Sequence, residues 1–158
     1  MLLGCSHGVI YYHFKTKVEL FYAIVEDDFS KLNNRLKATR EGTEEDSTKL
    51  YHVFLNYIEF GLNHQSQYEL MFLVRNREVD SLSQDSANHS YHKFAQAVQS
   101  LSNNKLTISE VWSVFIALHG FVCLHLGVVN DFTEAKEAAR AHVNFIIKGL
   151  LGSTSSNH

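Results

Sequence analysis

No proline interrupts the 158 residues of this chain. Proline breaks helices because it lacks a backbone N–H and because its ring collides with the preceding turn. Apolar residues recur at spacings of three and four along most of the sequence, which is the period of one helix face. With 45% hydrophobic residues, the chain can bury one substantial core. We therefore predict an all-α fold.

Two helices are predicted in the first half of the chain. Residues 16–19 fit a capping box and open an apolar stripe that should carry a helix to about Ala38. Residues 40–47 then form a polar connection. A second stripe predicts a helix from Thr48 to Leu62.

The middle of the chain is predicted to be less regular. A polar break at residues 64–67 separates the second helix from a short apolar one at residues 68–74. Residues 75–88 have the composition of a loop. Asp85 or Ser86 is a suitable cap for the next helix, which should end near Leu101.

Two long helices are predicted at the C-terminal end. Residues 107–110 fit a second capping box and open the most apolar segment, residues 111–129. Its length suits a membrane span, but His119 and His125 would each need a partner in lipid, so we expect no membrane association. Asp131 can cap a last helix that runs to Gly152. A helix that is apolar on all sides needs a second copy to cover it, so these two helices predict a homodimer.

The most specific segment reads Gly4-Cys5-Ser6-His7-Gly8-Val9-Ile10-Tyr11-Tyr12-His13-Phe14-Lys15-Thr16-Lys17-Val18-Glu19-Leu20. It resembles the recognition-helix region of the tetracycline-repressor family, in which a Gly-x-Ser turn leads to Tyr-Tyr-His-Phe and then Lys-x-Lys. Residues 57–62, residues 68–72, Trp112 and His119-Gly120 are similar to the branch whose regulatory domain carries a Trp…His-Gly signature. The resemblance implies a helix-turn-helix DNA-binding domain followed by a helical ligand-binding domain.

The resemblance also implies how this segment meets DNA. A short helix that begins at a serine N-cap can present its first side chains to a major groove about 12 Å wide. The phenol and imidazole near its end can donate to phosphates, and an ammonium at the start of the next helix supplies charge. The residues implied to contact operator DNA are Ser6, His7, Gly8, Val9, Tyr11, Tyr12, His13 and Lys17.

The chain departs from the family at its start. Family members carry two helices before the recognition helix, whereas only residues 1–3 precede the Gly4 turn here. Without those helices the recognition helix lacks the core that holds it. We therefore expect either a longer native chain or weakened DNA binding.

The resemblance divides the chain into three parts and implies a function for it. Residues 1–38 would be a partial helix-turn-helix domain with its connecting helix, residues 39–152 a ligand-binding and dimerisation domain, and residues 153–158 a disordered tail. The implied function is that of a transcriptional regulator, in the family usually a repressor, that a small effector releases from operator DNA. The alternative is a ligand-binding, dimerising module that does not bind DNA.

A pocket for the effector is expected among the central helices. Its candidate residues are mostly aromatic, which predicts a small hydrophobic or aromatic effector, although each residue also suits an ordinary core position. The candidates are Phe54, Tyr57, Phe60, Met71, Phe72, Phe94, Trp112, Phe115 and His119.

Other functional classes find little support in the sequence. His89 with His92, and His119 with His125, suggest a metal site, but no Cys or acidic residue at helical spacing completes either set. The sequence has no nucleophile elbow, phosphate-binding glycine loop or paired carboxylates on an apolar face. We therefore expect no enzyme activity, catalytic residue, metal or other cofactor. The two cysteines form no Cys-x-x-Cys pair, so a reducing cytoplasm is the expected location.

Overall fold

The computed structural model describes residues 41–73 and 80–153, together with positions 27, 30–31, 34–35 and 37–39 of the segment before them. All regular structure in these residues is helical, which confirms the all-α prediction. The helices are α1 (Asp46–Asn63), α2 (Gln65–Phe72), α3 (Asp80–Leu101), α4 (Ile108–His125) and α5 (Phe132–Ser153). We call the described positions between 27 and 41, which are also helical, the leading segment.

The N-terminal ends of α4 and α5 are formed by local side-chain caps. At α4 the Glu110 N–H donates to Thr107 Oγ1 over 3.2 Å, and the Thr107 N–H donates to Glu110 Oε2 over 2.7 Å. The predicted capping box is therefore confirmed. At α5 the Thr133 N–H donates to Asp131 Oδ1 over 2.7 Å, which confirms Asp131 as a cap.

The predicted loop over residues 75–88 is wrong from residue 80 onwards, because α3 already begins at Asp80. Asp85 and Ser86 therefore lie inside a helix and do not cap one. The prediction gave too much weight to polar composition. This stretch contains no Gly or Pro, so no residue in it forces the helix to end.

The predicted polar break after α1 is shorter than residues 64–67. Only His64 lies between the two helices, and α2 begins at Gln65. The Gln65 amide stabilises this tight junction: its Nε2 donates to Leu62 O and Val129 O, over 3.2 and 2.9 Å. A polar side chain that finds distant carbonyl partners can thus stand at a helix start, which composition alone does not reveal.

The hydrophobic core is built around α1, which contacts each of the other four helices. Its apolar stripe is buried against side chains from α3, α4 and α5. Fully buried members include Val53, Phe54, Ile58, Leu62, Phe94, Val98, Leu118, Val122, Ala139 and Val143.

Three helices approach one another closely at Gly61. A methyl group built there would lie 2.7 Å from Val122 Cγ1 on α4 and 3.1 Å from Tyr68 Cδ2 on α2. Real Cβ atoms essentially never have neighbours closer than 3.0 Å. The absence of a side chain at Gly61 therefore lets α1, α2 and α4 meet.

Gly61→Ala should lower the free energy of unfolding by about 1–3 kcal/mol, because the added methyl overpacks this crossing. Urea unfolding followed by circular dichroism measures the change. In the double variant Gly61→Ala/Val122→Ala, the obstructing methyls are also removed. The double variant should then lose less stability than the sum of the two single variants. Additive losses would show that the Gly61–Val122 contact is not the cause.

The leading segment runs antiparallel to α1. Arg35 Nη1 lies 3.7 Å from Glu59 Oε2, and Asn56 Nδ2 donates to Thr39 Oγ1 over 3.1 Å. Earlier residues of the segment therefore pair with later residues of α1. This direction leads its N-terminal end towards the α1–α2 junction.

By length and composition, α4 is the one helix among the described residues that could cross a membrane, with a mean hydropathy of 1.5. In the structure, one side of α4 belongs to the core, where Val111, Leu118 and Val122 are buried.

Candidate functional site

The structure places the predicted pocket residues at different depths. Four of them, Phe54, Tyr57, Phe60 and Phe94, are fully buried in the core. Phe115 is nearly buried, Phe72 and His119 are half-buried, and Trp112 is 47% exposed. The side chain of Met71 lies outside the described residues.

The less buried candidates form one aromatic surface together with Tyr91, which was not among the predicted pocket residues. We call this surface the aromatic wall: Phe72, Tyr91, Trp112, Phe115 and His119. The Trp112 and Phe115 rings stack at 5.5 Å, and the Phe115 ring lies parallel to the His119 imidazole at 6.1 Å. Phe72 of α2 meets His119 at 5.5 Å, and Tyr91 of α3 meets Trp112 edge-on at 5.0 Å. The wall therefore joins α4 to both α2 and α3.

A chain of polar side chains runs from the core to this wall. The Tyr57 and Tyr68 hydroxyls are 2.9 Å apart, and the Tyr68 hydroxyl is 2.6 Å from His119 Nδ1. His119 Nε2 then lies 3.4 Å from Cys123 Sγ. We call Tyr57, Tyr68, His119 and Cys123 the polar chain. It was not predicted from the sequence.

The direction of hydrogen bonding in the polar chain follows from the burial of Tyr57. If Tyr57 donates to Tyr68 and Tyr68 donates to Nδ1 of His119, every hydroxyl proton has a partner. In the reverse direction the Tyr57 proton would be buried without an acceptor among the described residues, which costs about 1–3 kcal/mol. The first direction is therefore favoured. It makes Nδ1 an acceptor and leaves the imidazole proton on Nε2.

Burial keeps the polar chain uncharged. It raises the pKa of both tyrosines and of the Cys123 thiol, and it lowers the pKa of the His119 imidazole. In each case removal from water disfavours the charged form. The polar chain is thus a neutral hydrogen-bonded network. His119 belongs both to this network and to the aromatic wall.

Alkaline pH should destabilise the fold through the two buried tyrosines. Because burial raises the pKa of both Tyr57 and Tyr68, the unfolded chain loses these protons above pH of about 10 while the folded chain keeps them. The contribution of the two tyrosines to the free energy of unfolding is therefore complete below a pH of about 10. Above that pH it falls by about 1.4 kcal/mol per pH unit for each tyrosine. Tyr57→Phe should make the decline in unfolding free energy shallower by one such contribution. Urea unfolding at several alkaline pH values measures the slope, and an unchanged slope in Tyr57→Phe would contradict this account.

The structure does not bring His119 and His125 together as a metal site, and the side chain of His89 lies outside the described residues. His119 meets Tyr68, whereas His125 Nδ1 lies 2.8 Å from Phe121 O and its ring stacks on Phe121. Within the described part of the chain, no group of three or more His, Cys, Asp or Glu side chains is placed to hold a metal ion.

A second cluster of polar contacts links the α1–α2 junction to the α4–α5 loop. Gln65 Oε1 accepts from the Gly127 N–H over 2.9 Å while its Nε2 donates to Val129 O. Asn63 Oδ1 accepts from the Phe132 N–H over 3.0 Å. We call these contacts the junction clamp. Only the polar character of residues 63–67 signalled it in the sequence.

The edge of α4 opposite the wall faces α5 and carries exposed apolar residues. His142 Nε2 lies 3.1 Å from Ala117 O, and its ring stacks on Phe121, so the two helices lie side by side. Around them Leu124, Val128 and Phe145 are 74%, 75% and 76% exposed. We call these residues and their exposed neighbours on α5 the exposed apolar face: Leu124, Val128, Ala138, Ala141, Phe145 and Gly149.

The eight predicted DNA-contacting residues, between Ser6 and Lys17, lie outside the described part of the chain. The capping box at residues 16–19 and residues 154–158 of the predicted tail also lie outside it, while α5 extends to Ser153. Neither a scan against models of known protein families nor a search of curated proteins finds a match for this chain.

Proposed function

We propose that this chain is a ligand-responsive transcriptional regulator, acting as a repressor, that binds operator DNA as a homodimer and is released by a small hydrophobic or aromatic effector. The observation that supports the structural half of this proposal is that two edges of α4 carry two different surfaces. One of its edges bears the aromatic wall and the polar chain, while the other borders the exposed apolar face. One helix therefore adjoins both a surface for a ligand and a surface for a second copy.

The exposed apolar face supports pairing of two copies. On α5, Ala138, Ala141, Phe145 and Gly149 follow one another at spacings of three and four, so they share one side of the helix. Small residues allow two helices to approach, and Phe145 together with Leu124 supplies apolar area that water disfavours. Two copies of an α4–α5 pair, related by a twofold axis, form a four-helix interface.

The contacts around α1 and α2 support a mechanical connection between the leading segment and the helices that would pair, α4 and α5. The leading segment runs along α1 towards the α1–α2 junction, and α2 contributes Phe72 to the aromatic wall. The junction clamp ties the same junction to the loop between α4 and α5. A ligand that favours one arrangement of α2 would therefore bias both the leading segment and the pairing helices.

The DNA-binding half of the proposal rests on the resemblance of residues 4–20 to the tetracycline-repressor recognition helix. Lys17 would contact a DNA phosphate, where its positive charge favours binding by releasing counterions from the DNA. A homodimer would present two recognition helices about one DNA turn apart, roughly 34 Å. The operator would then be a pseudo-palindrome.

A selection from fragmented genomic DNA of the source organism tests this proposal with the full chain. The expected result is enrichment of fragments that share a pseudo-palindrome with half-sites about one turn apart. Lys17→Ala should weaken binding to every fragment and reduce the salt dependence by about one phosphate contact. No enrichment over fragments recovered without protein would contradict DNA binding and favour the ligand-binding, dimerising module instead.

A further inference from the structure

The polar chain ends in a donor that has no acceptor in line with it among the described residues. The Tyr68 hydroxyl engages Nδ1 of His119, which leaves the ring proton on Nε2. Cys123 Sγ lies 3.4 Å from Nε2 and 3.9 Å from Nδ1, so the sulfur lies beside the ring and the Nε2–H does not point at it. An oxygen atom placed in line with the Nε2–H at this edge of α4 would accept a hydrogen bond from it.

The same edge of α4 offers apolar contact for a ring. Trp112, His119 and Cys123 are seven and four residues apart, so they lie on one stripe of the helix. Trp112 lies about 10 Å from His119 along the axis, at roughly 1.5 Å per residue. Its indole is half exposed, and its covered side stacks on Phe115. A flat molecule about two fused rings long could lie against the indole while an oxygen reaches His119.

The absence of charge around the imidazole favours an uncharged oxygen. Burial lowers the pKa of His119, and Nδ1 accepts from the Tyr68 hydroxyl, so both favour the neutral form of the ring. No described Lys or Arg contacts the members of the polar chain. A carboxylate would lose its hydration here without a counter-charge, whereas a carbonyl loses much less.

We infer that the effector is an uncharged planar molecule with a carbonyl oxygen, and that this oxygen accepts a hydrogen bond from His119 Nε2–H while the ring contacts Trp112. The role of this ligand as an effector rests on the proposed function, but its binding does not require DNA. The ligand supplies the acceptor that the Nε2–H lacks among the described residues. The fixed orientation of the imidazole, set by Tyr68 and Tyr57, makes the carbonyl position the specific part of recognition.

Two matched probes test this inference on the full chain: 2-acetonaphthone, an aromatic ketone, and 2-ethylnaphthalene, in which a CH₂ group replaces the carbonyl. Trp112 is the only tryptophan, so 5-fluorotryptophan labelling gives one ¹⁹F signal at the site. The ketone should shift this signal and bind about 2- to 10-fold more tightly than the hydrocarbon, the range that a hydrogen bond of typical strength allows. It should also shift the Nε2 resonance of His119 in ¹⁵N-histidine spectra.

Two variants separate the roles of the two ring nitrogens. His119→Gln places an amide near the Nε2 position and should keep part of the preference for the ketone. His119→Asn places its amide near Nδ1 and should lose the preference. If either variant fails to fold, the ¹⁵N measurement on the unmodified protein still decides the matter.

The outcomes are distinguishable from those of the proposed function. Equal affinity for both probes, or no shift of the Trp112 signal with either, overturns the inference while leaving DNA selection unaffected. A Trp112 signal that changes on dilution and not with the ketone would mean that a second copy covers this edge, which also overturns it. Ketone preference in a chain that selects no DNA would support the inference and reject the regulator.

Discussion

Leu124→Glu/Phe145→Glu should leave the chain monomeric at concentrations where we expect the unmodified protein to be a dimer. Both residues lie in the exposed apolar face, and each is about three-quarters exposed in one copy. Burying an unpaired carboxylate at an interface costs several kcal/mol, and each 1.4 kcal/mol is a factor of ten in affinity. We therefore expect the dissociation constant of the dimer to rise by at least about 100-fold.

Sedimentation equilibrium at micromolar concentration measures this effect directly. The unmodified chain should sediment at twice its mass of 18.0 kDa, and the double variant at the mass of one chain. Gln96→Glu, which adds one carboxylate at an exposed position of α3, should remain a dimer. An unmodified chain that sediments as a monomer would remove the pairing role of this face.

Phe115→Ala should cause the largest loss of stability from a single change in the aromatic wall. Its ring contacts Tyr57, Phe94 and Trp112 at 5.8, 5.8 and 5.5 Å, so its removal leaves a cavity between the core and the wall. Buried Phe→Ala changes cost about 3–5 kcal/mol, because the ring no longer contributes its burial and the cavity left behind adds a further cost.

Chemical denaturation followed by circular dichroism measures this loss. Ile108→Ala provides a matched control, because Ile108 lies on the same helix but is 81% exposed. It should change the free energy of unfolding by less than about 0.5 kcal/mol. A loss below about 1 kcal/mol for Phe115→Ala would show that the wall is loosely packed and that Phe115 does not support it.

The parts of the fold that were predicted correctly depend on interactions close in sequence. The capping box of Thr107 and Glu110 spans three residues, and the Asp131 cap spans two. The apolar stripes depend only on helical period. The start of α3 was missed because a polar stretch without Gly or Pro fits both a loop and a solvated helix.

The candidate site was only partly readable from the sequence because it depends on distant contacts. Trp112, Phe115 and His119 were predicted as pocket residues, and the structure brings them together with Phe72. The Tyr68 hydroxyl meets His119 across 51 residues, a contact that no local pattern signals. An aromatic residue at a helical core position has the same spacing whether it fills the core, as Phe54 does, or stands at its edge, as Trp112 does.

In the regulator that we propose, a ligand at the aromatic wall changes the affinity of the dimer for DNA. The most direct test measures binding of the full chain to a selected DNA fragment by fluorescence anisotropy, with and without the ketone that shifts the Trp112 signal. We expect the ligand to weaken DNA binding by about 5–150-fold, the range of a typical allosteric coupling, and DNA to weaken ligand binding by the same factor. DNA affinity that stays unchanged while the Trp112 signal reports full occupancy would contradict the claim.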